Sequence, residues 1–232
     1  MRMDEEDVSR MNKVLRHRLR NFASGIKNAV SLLEGEVADA MPPETREYFP
    51  LIQGECDQLN VLTERLSLAF DPKCPARVAA RMDLQPQPVD AIVRKVLEET
   101  RKAFPAAEIN VVADDELRST PISGGTALVL ALLEIVRNAI EAVRNKPVLI
   151  QCVAQEDELA CQVTDQGPGA GPGAPAQIFL PFHTTRGKHT GIGLTIAAEV
   201  LAEHAGRLSV VTNIGGGLTV TAHLPFRKRD VA

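Results

Sequence analysis

Between Val8 and Leu33 the apolar side chains fall on a heptad schedule that a long helix satisfies. Val8, Leu15, Phe22 and Ala29 recur every seven residues, and Met11, Leu19, Ile26 and Leu33 fill the adjacent stripe. A seven-residue repeat on a helix of 3.6 residues per turn keeps one seam facing a partner helix, as in a coiled coil. A second helical pattern runs from about Glu44 to Phe70, with Leu51, Ile52, Leu59, Leu62, Leu66 and Ala69 on one face. The stretch DAMPPET at 39–45 reads as the turn between them. Two such helices make a hairpin whose apolar stripe stays open when it stands alone. Pairing two copies into a four-helix bundle would cover that stripe, so a homodimer is expected.

The 232 residues leave room for a second folded unit with its own core. Pro72, Pro75, Pro86 and Pro88 crowd one stretch, which reads as a linker. The expected division is a helical hairpin at 1–70, a linker at 71–88 and a second domain at 89–228. Within that domain the pattern predicts a helix over 89–104, a strand over 108–114 and a strongly apolar helix over 127–144. Alternating strands follow at 148–155 and 158–165, then a helix over 190–205. A hairpin over 207–226 turns at Gly215, Gly216 and Gly217. This order predicts a two-layer α/β sandwich, and the whole chain an α+β fold.

Composition narrows the function. Hydrophobic residues make up 44% and charged residues 24%, which describes a globular protein rather than a disordered one. Aromatics are 3%, Trp is absent and the formal net charge is -4, so neither a base-stacking platform nor a basic coat for nucleic acid is expected. Cys56, Cys74, Cys152 and Cys161 form no C-x-x-C pair and are expected to be reduced and structural. The polar start, MRMDEEDVSRMNK, is not a signal peptide, and no apolar run approaches the ~20 residues of a membrane helix. A cytoplasmic protein is expected.

Three segments carry chemistry. In LLEIVRNAIEAV (132–143), Glu134 and Asn138 are four apart and share one face of an otherwise apolar helix. A buried acid and amide are costly unless they bind something, whereas a solvated polar stripe would need no ligand. In VTDQGPGAG (163–171), Asp165 ends a strand and Gly167 and Gly169 follow, allowing close backbone approach. In QIFLPFHTTRGKHTGIGL (177–194), an apolar block precedes Thr184, Thr185, Arg186 and Lys188. Thr190, Gly191 and Gly193 then open a helix whose N-terminus favours phosphate.

Taken in this order, the segments resemble the ATP-binding domain shared by sensor histidine kinases, DNA gyrase, heat-shock chaperones and mismatch-repair proteins. They look like its N, G1, F and G2 boxes, and the resemblance spans about residues 89–226. It implies ATP and Mg²⁺ as ligands. It implies that Asp165 reads adenine and that Asn138, with Glu134, holds Mg²⁺ between phosphates. Residues 170–190 would be a lid, with Ile178, Phe179 and Phe182 anchoring its base. Thr184, Thr185, Arg186, Lys188, Thr190, Gly191, Gly193 and Leu194 would line the phosphates, beside Gly167 and Gly169. There is no Walker A sequence.

The segment LRHRLRNFASGI (15–26) resembles the phosphoacceptor box of histidine kinases, with Asn21 one turn after His17. An imidazole keeps a nitrogen lone pair available as a nucleophile at cellular pH. Lys13, Arg16, Arg18 and Arg20 flank His17 and could attract phosphate or an acidic partner. The commonest box has an acid directly after the histidine, where this chain has Arg18. Most histidine kinases have Asn at the first N-box position, where this chain has Glu134. The resemblance therefore implies a histidine kinase that phosphorylates His17 and passes the group to an aspartate of a response regulator. Glu134 and Asn21 would be its other catalytic residues, and the signal would come from an upstream sensory protein or, if the chain is a fragment, from the rest of a longer one. Arg18 keeps open an adaptor of the same architecture that binds nucleotide without phosphorylating itself. A Ser/Thr kinase of the same superfamily is a third possibility.

Overall fold

The computed structural model describes residues 5–37, 40–83, 85–113, 115–143, 146–155, 157–170, 177–184 and 190–226, with side chains from residue 14 onward except that of residue 116. The chain divides into two compact units, Met1–Cys74 and Pro75–Ala232.

The first unit is an antiparallel helical hairpin. Helix α1 (Glu5–Val37) is followed by a single turn, α2 (Pro43–Arg46), and then by α3 (Tyr48–Phe70). Pro43 sits in the first turn of α2, where a missing N–H costs nothing. Polar pairs fix the antiparallel register: Arg16 Nη2 to Asp71 Oδ2 at 2.7 Å, Lys27 Nζ to Asp57 Oδ1 at 2.6 Å, and Gln53 Nε2 to Glu34 Oε2 at 3.1 Å.

The seam inside this hairpin differs from the expected one by one residue. Among the described side chains of α1, Arg16, Ala23 and Val30 are buried, and Phe49, Cys56 and Thr63 repeat the same spacing on α3. Ala23 and Cys56 are small enough for close helix approach, and Asp71 neutralises the buried Arg16. Leu15, Phe22, Ile26 and Leu33, assigned to the seam by their heptad spacing, are instead exposed, Phe22 by 65%, along with Leu51 and Ile52. Val8 and Met11 lie outside the described side chains. The stripe is real, but the hairpin's own packing leaves it open.

The second unit has two layers. Its five-stranded sheet runs in the order β2–β4–β5–β7–β6, where β2 is Ile109–Ala113, β4 Val148–Gln155, β5 Glu158–Thr164, β6 Arg207–Thr212 and β7 Leu218–Pro225. β2 and β4 are parallel and the other neighbours antiparallel. Alternation decides the buried face: Val148, Ile150 and Cys152, then Leu159, Cys161 and Val163, then Val220, Ala222 and Leu224 all point into the core. Three helices cover that face: α5 (Val89–Ala103), α7 (Gly125–Ala142) and α8 (Gly193–Ala202). α7 is apolar nearly all round because α5 and α8 flank it and the sheet lies beneath it. Leu128, Leu132 and Ile135 are essentially inaccessible, each contributing about 1.5–3 kcal/mol over an exposed side chain.

Four short elements escaped the sequence pattern: α4 (Pro75–Met82), α6 (Asp115–Ser119), and the two-residue strands β1 (Gln87–Pro88) and β3 (Pro121–Ile122), which pair with each other. Residues 71–88, expected from their prolines to be a linker, therefore contain a helix. It starts at Pro75, where proline is tolerated in the first turn. α8 begins at Gly193, three residues later than expected.

All four cysteines are free and buried. Cys152 and Cys161 face each other across β4 and β5 with their sulfurs 2.9 Å apart. The contact with Cys152, reinforced by burial, pushes the Cys161 thiol well above its usual range. Among the described residues no helix is long and apolar enough to cross a membrane.

On the opposite sheet face, Arg207 clamps Glu158 through both guanidinium Nη atoms, one bond being 2.8 Å. Glu158 Oε1 also accepts from His223 Nδ1 at 2.7 Å. The guanidinium is the main cause, and His223 a further one, that holds the Glu158 carboxyl down to about 2. A carboxyl lowered on folding stabilises above its unfolded value of 4.5, and that stabilisation is lost as pH falls toward 2. In denaturant titrations, the wild-type advantage over Glu158→Gln is expected to be constant above about pH 5 and to shrink below pH 4.5. An advantage undiminished at pH 2.5 would contradict this origin.

Candidate active site

β5 ends at Thr164 and delivers Asp165 to the rim of the core, where it is 4% exposed. Neighbouring backbone fixes its position. Its N–H donates to Leu218 O at 2.9 Å, and its Oδ1 accepts from Gly167 N at 2.7 Å and Leu218 N at 3.3 Å. Gly217 makes this possible: it has φ +87°, and a Cβ there would lie 2.1 Å from Asp165 O. Gly217 was read from the sequence only as part of a hairpin turn. The signal for its second role, a strand end pressed against that turn, exists only once β5 and β7 are paired.

α7 places the acid and the amide nearby. Glu134 is 7% exposed and Asn138, one turn later, is half-buried, so the solvated-stripe reading does not hold for the acid. Asn138 lies one turn before Ala142, and a Cβ on Gly167 would meet the Ala142 methyl at 3.0 Å. The end of α7 and the loop after Asp165 therefore adjoin.

The third segment converges on the start of α8. Ile178 and Phe179 pack against the core, and Thr195 Oγ1 donates to Phe179 O at 3.1 Å, tying residues 177–184 to that helix. Gly191, at φ +65°, passes so close to His183 that a Cβ would lie 2.6 Å from its carbonyl oxygen. Phe182, expected as a third anchor, is instead 62% exposed with φ 63°, because a left-handed backbone turns it away from the core. Thr184 is exposed, Thr190 and Gly191 are half-buried, and Leu194 is buried just inside α8. Gly193 opens that helix with no side-chain cap at its N-terminus. Gly169 takes a left-handed φ of 75°. Thr185, Arg186 and Lys188 lie outside the described residues.

These segments provide a buried carboxylate, an amide beside a second carboxylate, and a helix N-terminus reached through close-approach glycines. Helix N-terminal N–H groups suit phosphate oxygens. The Asn138 amide and the Glu134 carboxylate offer the hard oxygen donors that Mg²⁺ takes. Among the described residues no group of three or more His, Cys, Asp or Glu side chains could hold a metal by itself. That donor set suits an ion coordinated mainly by phosphates.

In the first unit His17 is exposed on α1, and Asn21 Nδ2 lies 3.2 Å from His17 Nδ1. Arg18 and Arg20 are exposed as well. Arg16, grouped with them from the sequence, is buried against Asp71 and is not part of the exposed basic set.

Residues 124–228 match the family described as histidine kinase-, DNA gyrase B- and HSP90-like ATPase. Over 90% of its length the chain is 26% identical to the signal transduction histidine-protein kinase AtoS of Escherichia coli, covering 33% of that protein. Over 86% of its length it is 27% identical to the sensory histidine kinase/phosphatase NtrB of Rhizobium meliloti, covering 54% of that protein. The chain thus spans between a third and about half of these relatives. Full-length ShkA in complex with AMPPNP superposes with a TM-score of 0.72 at 26% identity, over 94% of this chain and 46% of that one. The Acinetobacter baumannii histidine kinase AdeS shares the fold at a TM-score of 0.61 and 21% identity, over 91% of this chain and 98% of that one.

Gly217→Ala tests the seating of Asp165. A strained left-handed alanine costs roughly 1–3 kcal/mol, and here the methyl also strikes Asp165 O. The substitution is expected to lower the thermal midpoint. Gly215→Ala, also at positive φ but with nothing within 4 Å of the added Cβ, is expected to lower it less. Equal effects would contradict the close-approach role.

Proposed function

We propose that this chain, which resembles the catalytic core of sensor histidine kinases and matches an ATPase family at residues 124–228, transfers the γ-phosphoryl group of ATP to His17 and then to an aspartate of a response regulator. The observation that carries this reading is an exposed histidine with an amide one turn away, in a chain that also carries the Asp165 cradle. An asparagine turned oxygen-first accepts the Nδ1 hydrogen and leaves the Nε2 lone pair for attack. The new bond joins Nε2 to the γ-phosphorus, and the bond that breaks leads to the bridging oxygen of the departing ADP. Phosphoryl transfer depends chiefly on positioning and charge neutralisation, and Mg²⁺ would supply the latter on the phosphates.

Asp165 would accept the adenine amino hydrogen, and Asn138 with Glu134 would hold Mg²⁺ on the phosphates. Gly167, Gly169, Thr184, Thr185, Arg186, Lys188, Thr190, Gly191, Gly193 and Leu194 border the nucleotide. Glu134 is the carboxylate assigned to take the Nδ1 proton as the Nε2–phosphorus bond forms, since neither Arg18 nor the Asn21 amide can accept it. A positioned general base contributes about 10²–10⁴-fold in rate. With γ-labelled ATP and Mg²⁺, His17 is expected to acquire an acid-labile, alkali-stable label. Glu134→Gln is expected to slow labelling by that factor while nucleotide still binds. Labelling at the wild-type rate would remove Glu134 from the chemistry. Normal ATP binding without any label would favour the adaptor reading that Arg18 keeps open.

The partners follow from the same reading: a response-regulator receiver domain, an upstream sensory protein and a second copy of this chain, on the cytoplasmic side where ATP is available. The exposed stripe of Leu15, Phe22, Ile26 and Leu33 is the surface assigned to the second copy. Light scattering is expected to give twice the 25.1 kDa chain mass, and Phe22→Asp to halve it by placing a charge in the apolar interface. A wild-type monomer at micromolar concentration would count against the four-helix bundle.

A further inference from the structure

Within the second unit, α4 and the residues just after it make contacts that the nucleotide reading leaves unused. Arg77, 4% exposed, donates from Nε to Glu203 Oε1 at 2.9 Å and from Nη2 to the same oxygen at 2.5 Å. Its Nη2 also lies 3.5 Å from Glu199 Oε2. Both glutamates belong to the C-terminal end of α8. His204 Nε2 lies 3.0 Å from Ala80 O, so the chain just past α8 is held to α4 a second time.

The start of α7 meets the same segment. Gly124, its N-cap residue, is left-handed and has no capping side chain. Asp83 supplies the missing cap from 43 residues away: its Oδ2 accepts from Thr126 N at 3.3 Å and from Thr126 Oγ1. Gln87 Nε2 donates to the same oxygen at 2.8 Å and holds the carboxylate in place. A carboxylate here satisfies an orphan N–H and complements the helix dipole. Gly124 has no room for a Cβ because His204 Nδ1 would lie 2.8 Å away, so the start of α7 and the end of α8 touch at this junction.

Each helix has its other functional region at the opposite end. By helical rise, Thr126 and Asn138 are about 18 Å apart along α7, and Gly193 and Glu203 about 15 Å apart along α8. We propose that α4 is a brace, and that Asp83 and Arg77 are positioning residues that set the relative placement of α7 and α8 and thereby the geometry of the nucleotide boxes. Rigid helices transmit a shift at one end to the other, and packed cores resist continuous deformation. α4 starts five residues after the last residue of α3, so the brace is also the first part of the second unit that the chain reaches from the helical hairpin. The effect on affinity rests on the nucleotide reading; the effect on helix placement does not.

The test is hydrogen exchange by mass spectrometry on the full chain without nucleotide, paired with calorimetry of an ATP analogue with Mg²⁺. Both are run at a temperature where circular dichroism shows each variant folded. Asp83→Ala is expected to speed exchange at least fivefold at 134–142 and 190–196, remote from the substitution, and to weaken nucleotide binding five- to twentyfold. Asp83→Asn, which still accepts the Thr126 bonds, is expected to restore both. Arg77→Gln should act as Asp83→Ala does; if it does not fold, the Asp83 pair decides. Faster exchange confined to 75–88 and 124–128, or a lowered melting temperature with remote exchange unchanged, would overturn the brace. If wild type binds no nucleotide, the nucleotide reading fails, and remote exchange still decides whether α4 is a brace.

Discussion

The closure of the β6–β7 turn onto Asp165 is the constraint on which the site depends. A carboxylate at the rim of an apolar core needs donors, and the two that hold Oδ1 are backbone N–H groups of Gly167 and Leu218. Those donors are in place only because β7 pairs with β5 up to Thr164 and because Gly217 lets the turn come within what would be a clash for any other residue. The loop on the far side of Asp165 abuts the end of α7 at Ala142. That contact brings the loop after Asp165 against the end of the helix that carries Asn138 and, a turn further back, Glu134. The sheet register, the glycine and the central helix therefore act together on a single side chain.

The two units solve different packing problems. The second encloses its apolar surface: α7 is buried against two helices and a sheet. The first does not, since its internal seam is narrow, with small residues and one neutralised arginine, and its larger apolar side chains remain outside. A hairpin built this way leaves an apolar stripe and a polar, histidine-bearing surface both open to solvent. His17 and Asn21 lie on such a surface.

Much of this was legible in the sequence because it depends on local pattern. The two long helices, the strands at 148–155 and 158–165, the final hairpin and the Glu134–Asn138 face all follow from periodicity. What was missed depends on register or on distant partners. The heptad stripe was legible from its period and stands exposed on the hairpin; the hairpin's internal seam, one residue on, was not legible, because Arg16 reads as a surface cation until Asp71, 55 residues on, is brought to it. α4 was hidden by prolines, one of which opens the helix. Cys152 and Cys161 carry no motif spacing and meet only through strand pairing. Phe182, which the resemblance makes a third anchor of the lid, is turned outward by a left-handed φ. Asp83 gave no signal and Gly217 signalled only a hairpin turn, since a cap and a close approach depend on which residues lie opposite.

On the proposed reading, the seated Asp165 carboxylate recognises adenine. A carboxylate accepts from the exocyclic amine of adenine, whereas guanine presents a carbonyl oxygen at the equivalent position. Titration calorimetry with ATP and GTP, each with Mg²⁺, tests this most directly on wild type and Asp165→Asn. ATP is expected to bind and GTP to compete poorly. Asp165→Asn is expected to lose about 1–3 kcal/mol of ATP affinity, the worth of a hydrogen bond to a charged group. Equal affinities for the two nucleotides, unchanged by the substitution, would contradict it.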